Sequence, residues 1–187
     1  MMGFEGATWL ERKERAKKER PNLLIGDLHL KRGMTIADIG AGSGYYSRRM
    51  APLIAPGKVL AVEIQPEMVD LLRKLAAKPG LGNIVPILGS QENVNLAEGS
   101  VDLAVMVDVY HEVSFPHEVI SSIISALKPK GRLVFVEYRG EDPAVQISPV
   151  HKMTVKQILL EMDQFPLVLE RRDERLPLQH IVIFRRQ

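Results

Sequence analysis

The sequence predicts an α/β protein with a doubly wound, mostly parallel seven-stranded sheet, helices on both faces and a C-terminal antiparallel hairpin. Three observations carry this. Apolar runs of five to seven residues alternate with longer segments of helical character. The runs are nearly continuous in apolar residues, as in strands buried on both faces, where an antiparallel sheet would alternate. The last two runs are joined only by Arg172 to Leu178, too short a link for a parallel crossover, so they pair antiparallel.

The elements follow in order. Trp9 to Arg20 is a run of strong helix formers with mixed charge, expected as a solvated helix that tucks Trp9 and Leu10 onto the domain. A mobile lid or a basic arm is the alternative. Leu23, Leu24, Leu28 and Leu30 give a second helical face, with Gly33 placed as its C-cap. Met34 to Ile39 is the first strand and breaks into Gly40-Ala41-Gly42-Ser43-Gly44. Tyr45 to Ile54 then restarts as a helix ended by Pro56-Gly57. Lys58 to Glu63 is the second strand and ends on an acid. Pro66 to Ala77 is a helix with proline in its first turn. Ile84 to Leu88 and Val101 to Val107 are strands, Pro116 to Leu127 a helix, and Arg132 to Tyr138 the fifth strand. Residues 139–153 read as irregular, Thr154 as the N-cap of a helix to Met162, and Leu167–Arg171 and His180–Phe184 as the closing strands. The whole, 1–187, is expected as one domain with 1–32 as an N-terminal helical extension or lid.

Composition excludes several classes. A net charge of +2 gives no bulk polyanion binder. The absence of cysteine removes disulfides, thiolate metal sites and cysteine nucleophiles, and suits a reducing cytoplasm. No apolar run approaches the roughly 20 residues of a membrane span. Met1-Met2-Gly3-Phe4-Glu5 lacks the basic-then-apolar order of a signal peptide.

The chemistry gathers at the carboxyl ends of the strands, where doubly wound sheets bind ligands. Three alternate glycines, Gly40, Gly42 and Gly44, let the backbone approach a ligand, and the following helix offers unpaired N–H groups. The spacing is G-x-G-x-G, where dinucleotide binders use G-x-G-x-x-G. The bulky Tyr45 fits poorly beneath a pyrophosphate, and the carboxylate of Asp38 opposes phosphate but suits a cation. Glu63 is placed to accept both ribose hydroxyls. The ligand should carry a ribose and a positive group and lack a pyrophosphate.

Asp38 to Gly44 is similar to motif I of the class I S-adenosylmethionine-dependent methyltransferases. Glu63 matches their ribose-binding acid, Val101–Tyr110 resembles motif IV, and Leu127-Lys128-Pro129-Lys130-Gly131-Arg132-Leu133 resembles the segment before their fifth strand. Two departures are Ser90, where many relatives carry Asp, and Lys130, where glycine is usual. The resemblance implies S-adenosylmethionine as cofactor and S-adenosylhomocysteine as product. It places the methionine part on Gly40, Ala41, Gly42, Gly44 and Tyr45 with Asp38 near its amino group. Glu63 takes the ribose and Ile64 packs on the adenine, with Gly89, Ser90 and Gln91 beside it. Asp108 lies near the methionyl end or the acceptor.

On the acceptor side, His111 is a candidate general base and Tyr110 its neighbour in the pocket wall. Tyr46, Tyr138, Arg139 and His151 are further wall candidates. A metal held by Asp108, His111 and Glu112 is set aside, because Glu137-Tyr138-Arg139 does not match the Asp-Asn pair of catechol-type enzymes. Base-amino methylation needs an Asn/Asp-Pro-Pro-aromatic run that Asp108-Val109-Tyr110-His111 lacks, and cytosine C5 or arsenic chemistry needs cysteine. A small-molecule acceptor is left, with no nucleic acid, membrane or metal partner expected. The alternatives are RNA or protein methylation, and a cofactor-binding module without turnover.

Overall fold

The computed structural model describes residues 6–187; Met1–Glu5, and the reading of them as free of a leader pattern, lie outside the described residues. Helix α1 (Ala7–Leu10), α2 (Arg15–Glu19) and α3 (Pro21–Asp27) precede β1 (Thr35–Ile39). Then come α4 (Ser47–Ile54), β2 (Lys58–Glu63), α5 (Pro66–Ala76), β3 (Ile84–Leu88), β4 (Val101–Val107) and α6 (Pro116–Ala126). The chain closes with β5 (Leu127–Arg139), β6 (Lys152–Met153), α7 (Val155–Met162), β7 (Leu167–Asp173) and β8 (Gln179–Arg186).

The strands lie in the order β3-β2-β1-β4-β5-β8-β7. Pairing is parallel from β3 through β5, and β8 is antiparallel to both β5 and β7. The order reverses between β1 and β4, which opens the crevice at their carboxyl ends. Alternate side chains of each central strand enter opposite cores. Ile36, Leu103, Val105, Val134, Val136 and Ile181 meet α3 and α4 on one face. Ala37, Ala104, Met106, Phe135 and Phe184 meet α6 and α7 on the other. No helix among the described residues is long and apolar enough to cross a membrane.

The structure corrects four local expectations. The run 9–20 is two short helices joined by a turn at 11–14, and Arg15 and Glu19 within it are buried rather than solvated. Gly33 does not cap α3, which ends at Asp27; it takes φ 85° in a separate turn and donates its N–H to the Ile54 carbonyl at 2.7 Å. Helix α4 starts at Ser47, since Tyr45 and Tyr46 still belong to the glycine turn. An eighth strand, β6, pairs with Tyr138 and Arg139 of β5 inside the stretch read as irregular; two residues are too few to show periodicity. The Thr154 N-cap is present, its Oγ1 accepting from the Gln157 N–H at 3.0 Å.

Candidate active site

A cavity of about 710 Å³ opens where the sheet order reverses, a volume suited to a nucleoside-sized ligand. Its floor at one end is the turn after β1. Gly40 and Gly42 hold φ of 68° and 53°, and the Gly40 and Ala41 N–H groups donate to the Val62 carbonyl at 2.9 and 3.0 Å. A methyl group on Gly40 would strike Val109 at 2.6 Å, and one on Gly42 would strike Leu10 at 2.7 Å, so the turn is closely covered. Gly44 does not line the cavity. It faces the other way, where a Cβ would meet Leu75 at 2.4 Å, and it lets α5 pack against the turn. Ala41 and Tyr45 line the cavity with Gly40 and Gly42.

Asp38, at the end of β1, is buried in the cavity wall and accepts from the Ser47 hydroxyl at 2.6 Å. Burial outweighs that bond and the nearby Arg15, so its carboxyl is pushed up to about 6. Glu63, at the end of β2, accepts from the Gly42 N–H at 3.1 Å and from the Ile64 and Gln65 N–H groups at 2.7 and 3.3 Å. These bonds fix the carboxylate against the turn and leave lone pairs on its oxygens for further donors. Ile64, Ser90 and Gln91 line the cavity beside it; Gly89 does not, but its N–H donates to the Glu63 carbonyl at 2.9 Å.

Asp108 directly follows β4 in a left-handed backbone, φ 55°, a conformation that short polar side chains tolerate. Its carboxylate takes both hydrogen bonds from the Gln179 amide, at 2.9 and 2.8 Å. Burial, reinforced by the charges of Glu137 and Glu19, pushes this carboxyl well above the usual range.

The cavity wall around His111 is built by the turn Tyr110–Glu112 and by Glu137 of β5. Glu137 is fully buried and accepts the Val109 and Tyr110 N–H groups at 3.2 and 2.7 Å and His111 Nδ1 at 2.6 Å. A carboxylate only accepts, so this bond places a proton on Nδ1 and leaves Nε2 at the cavity wall. Nε2 stands 3.2 Å from His151 Nδ1. Tyr110 and Arg139 leave the expected wall. The Tyr110 ring is buried on Phe135 with its hydroxyl donating to Glu161 at 2.6 Å, and Arg139 turns to Glu174 at 2.9 Å. Tyr46, Tyr138, His111 and His151 all line the cavity.

Sequence reading missed three contributors. Arg15 enters the cavity from the N-terminal segment, 4.2 Å from the centre of the Tyr45 ring, and pairs with Glu19 at 2.7 Å. Glu19 also accepts from the Tyr138 hydroxyl at 3.2 Å, which ties this segment to β5. The charged run gave no sign that these two residues turn inward. The Glu137–His111 pair joins residues 26 apart, one on β5 and the other in the turn after β4; its only sequence signal was an acid among the apolar residues of the fifth strand.

The arrangement fits S-adenosylmethionine. The close-approach turn and the Glu63 carboxylate suit the nucleoside, and two acids with no phosphate-binding lysine suit a cationic ligand. The Tyr46 hydroxyl is a buried polar atom of the cavity wall with no protein partner, as a site built around an absent polar ligand leaves.

A family model described as "Methyltransferase domain" matches residues 30–171. The chain is 32% identical over 125 residues to a tRNA U34 carboxymethyltransferase of Desulfotalea psychrophila, covering 66% of this chain and 36% of the relative. It is 29% identical to a malonyl-[acyl-carrier protein] O-methyltransferase of Methylococcus capsulatus, covering 72% of this chain and 46% of that one. The chain thus spans less than half the length of these curated relatives. The crystal structure of a SAM-dependent methyltransferase from Aquifex aeolicus superposes over 99% of both chains with a TM-score of 0.91 at 22% identity, a likeness of fold. With most of its length under the family model and the glycine turn, the two acids and the strand order in place, the chain belongs to the class I S-adenosylmethionine-dependent methyltransferases.

Proposed function

We propose that this protein transfers the methyl group of S-adenosylmethionine to a small-molecule acceptor, using His111 as the base that receives the acceptor's proton. The observation that supports the reading is a single cavity lined both by the glycine turn with Glu63 and by the imidazole of His111 held by Glu137. The sulfonium supplies an already activated methyl group, so the protein's task is positioning and exclusion of water. Gly40–Gly42 and Tyr45 cradle the methionine part, Asp38 faces its ammonium, and Arg15 with the Tyr46 hydroxyl faces its carboxylate. Glu63 holds the ribose, and Ile64, Ser90 and Gln91 border the adenine. Glu137 holds His111 so that Nε2 accepts a proton as the nucleophile bonds to carbon. Trp9 and Leu10 on one side and Gln146–Ser148 on the other border the cavity; they act as a lid, and an acceptor reaching His111 has to fit beneath them.

S-Adenosylhomocysteine should raise the melting temperature more than NAD does, and methylated product should be found in a panel of small hydroxyl, amine and carbon acids. NAD stabilising more strongly would sink the cofactor reading. Product formed only with tRNA or a protein, with affinity falling steeply in salt, would move the acceptor to a macromolecule; Lys13, Lys17 and Lys18 are exposed on the N-terminal segment.

The cofactor's affinity should also depend on pH through Asp38. Its carboxyl titrates at about 6 in the free protein, and a bound ammonium favours the ionised form. Binding then releases a proton below that pH, so affinity weakens as pH falls. Calorimetry at pH 7.5 and pH 5 should show about a tenfold loss, absent in Asp38→Asn. The sign for stability is opposite. A carboxyl raised by burial penalises the folded state above its folded value, so Asp38→Asn should stabilise the free protein at neutral pH.

A further inference from the structure

We propose that His111 Nε2, His151 Nδ1 and a carboxylate oxygen of Glu112 form a binding site for a first-row divalent metal ion at the acceptor end of the cavity. The three ligand atoms lie within 4.8 Å of one another. His111 Nε2 and His151 Nδ1 are 3.2 Å apart, and Glu112 Oε1 is 3.7 Å from the second and 4.0 Å from the first. Donors on one tetrahedral ion at about 2.0–2.1 Å stand roughly 3.3 Å apart. The imidazoles already have that spacing, and the carboxylate reaches it by a rotation of less than about 1 Å on the same scale. The rings lie edge to face rather than stacked, at 73° with centroids 5.3 Å apart, and bring one nitrogen of each within 3.2 Å of the other.

The support around the ligands is that of a metal centre. The Glu137 carboxylate holds the Nδ1 proton of His111 at 2.6 Å, the carboxylate–histidine arrangement that orients metal-ligating imidazoles and raises their basicity. Glu137 is itself fixed by two backbone N–H groups. The turn Pro149–His151 packs against the turn Tyr110–Glu112, so an ion would fasten the chain after β5 to the loop after β4. Two imidazoles and one carboxylate favour zinc, iron, cobalt or manganese over magnesium and calcium. This set differs from the Asp108-containing one weighed from the sequence. Asp108 is held by Gln179 and lies outside the cluster, while His151 arrives from 40 residues away.

Three protein ligands leave a coordination position toward the cavity. The acceptor class it selects is one offering an oxygen or nitrogen donor to the ion. The site rests on the reading of this end of the cavity as the acceptor end. An ion there would take the electron pair of His111 Nε2, so the metal-loaded form and His111 acting as the base exclude one another, and a donor bound to the ion would lose its proton to water instead.

The test uses the full chain, stripped with chelator and titrated with Zn²⁺ by calorimetry and with Co²⁺ by visible absorption. One equivalent should bind, with the Co²⁺ bands of a four- or five-coordinate site. His151→Ala and Glu112→Gln should each weaken binding by at least about tenfold. His151 is half-exposed on its turn, so the metal-free melting temperature of His151→Ala should match that of the parent; if it does not, Glu112→Gln decides. No stoichiometric uptake would overturn the site, as would uptake equal in both variants, which would assign the ion to surface histidines such as His29 or His117. S-Adenosylhomocysteine binding is measured separately. Cofactor binding without metal uptake removes the ion and keeps the methyltransferase reading; metal uptake without cofactor binding does the reverse.

Discussion

Glu137→Ala should destabilise the protein by about 3–5 kcal/mol, the largest loss expected from any single polar substitution here. The side chain is completely buried in the central strand β5 and accepts three hydrogen bonds, from the Val109 and Tyr110 N–H groups and from His111 Nδ1. Truncation leaves all three donors without an acceptor in a place water does not reach easily. Its strand partner across the β5–β8 ladder is His180, fully buried, with both ring nitrogens lacking hydrogen-bond partners. Burial lowers the tendency of His180 to charge. For a chain of this size, each kcal/mol moves the melting temperature by about 2–4 °C. A fall on the order of 10 °C by calorimetry or denaturant titration is the expected result. Glu137→Gln keeps one carbonyl oxygen for the backbone donors and should lose less. A Glu137→Ala protein that melts like its parent would show that the loop after β4 is held by packing alone, and would remove the support under His111.

Glu63→Ala should weaken binding of S-adenosylhomocysteine by roughly 1–3 kcal/mol, a five- to 150-fold rise in Kd. The carboxylate ends β2 at the cavity, anchored by the N–H groups of Gly42, Ile64 and Gln65, and in the proposed reading it accepts the ribose hydroxyls. Its anchoring removes most of the entropy cost of orienting it on binding. Because the same side chain also fastens the glycine turn to β2, the melting temperature of the free variant is measured alongside the calorimetric Kd. A variant whose affinity is unchanged would mean that the ribose is held elsewhere. A Kd that rises only in proportion to lost stability would assign Glu63 to the fold rather than to the ligand.

The glycine-turn end of the cavity was legible in the sequence for a physical reason. Its parts are local: a turn of Gly40, Ala41 and Gly42 directly after a strand, an acid ending that strand, and another ending the next. A parallel sheet brings all strand ends to one edge, so the order of elements already placed Asp38, Glu63 and Asp108 together. Gly44 shows the limit of such reading, since its glycine pattern matched but its role is to admit Leu75. The N-terminal segment shows it more sharply. Charge and helix propensity made Trp9–Arg20 a solvated helix, yet Glu19 is buried because Arg12, Arg15 and Tyr138 all converge on it.

What the sequence determined by itself was the fold class and the antiparallel closing hairpin, and its motifs carried the resemblance that implies the cofactor, because apolar runs, turn glycines and strand-end acids act through near neighbours. What only the tertiary structure decided was the wall around His111. Tyr110 turned inward onto Phe135, Glu137 met His111 from the neighbouring strand, and His151 came to the same wall from beyond β5. Those contacts join residues 26 and 40 positions apart. They depend on strand register and on a two-residue eighth strand, β6, that directly follows His151 and pairs with the end of β5, and neither leaves a period or a motif in the chain.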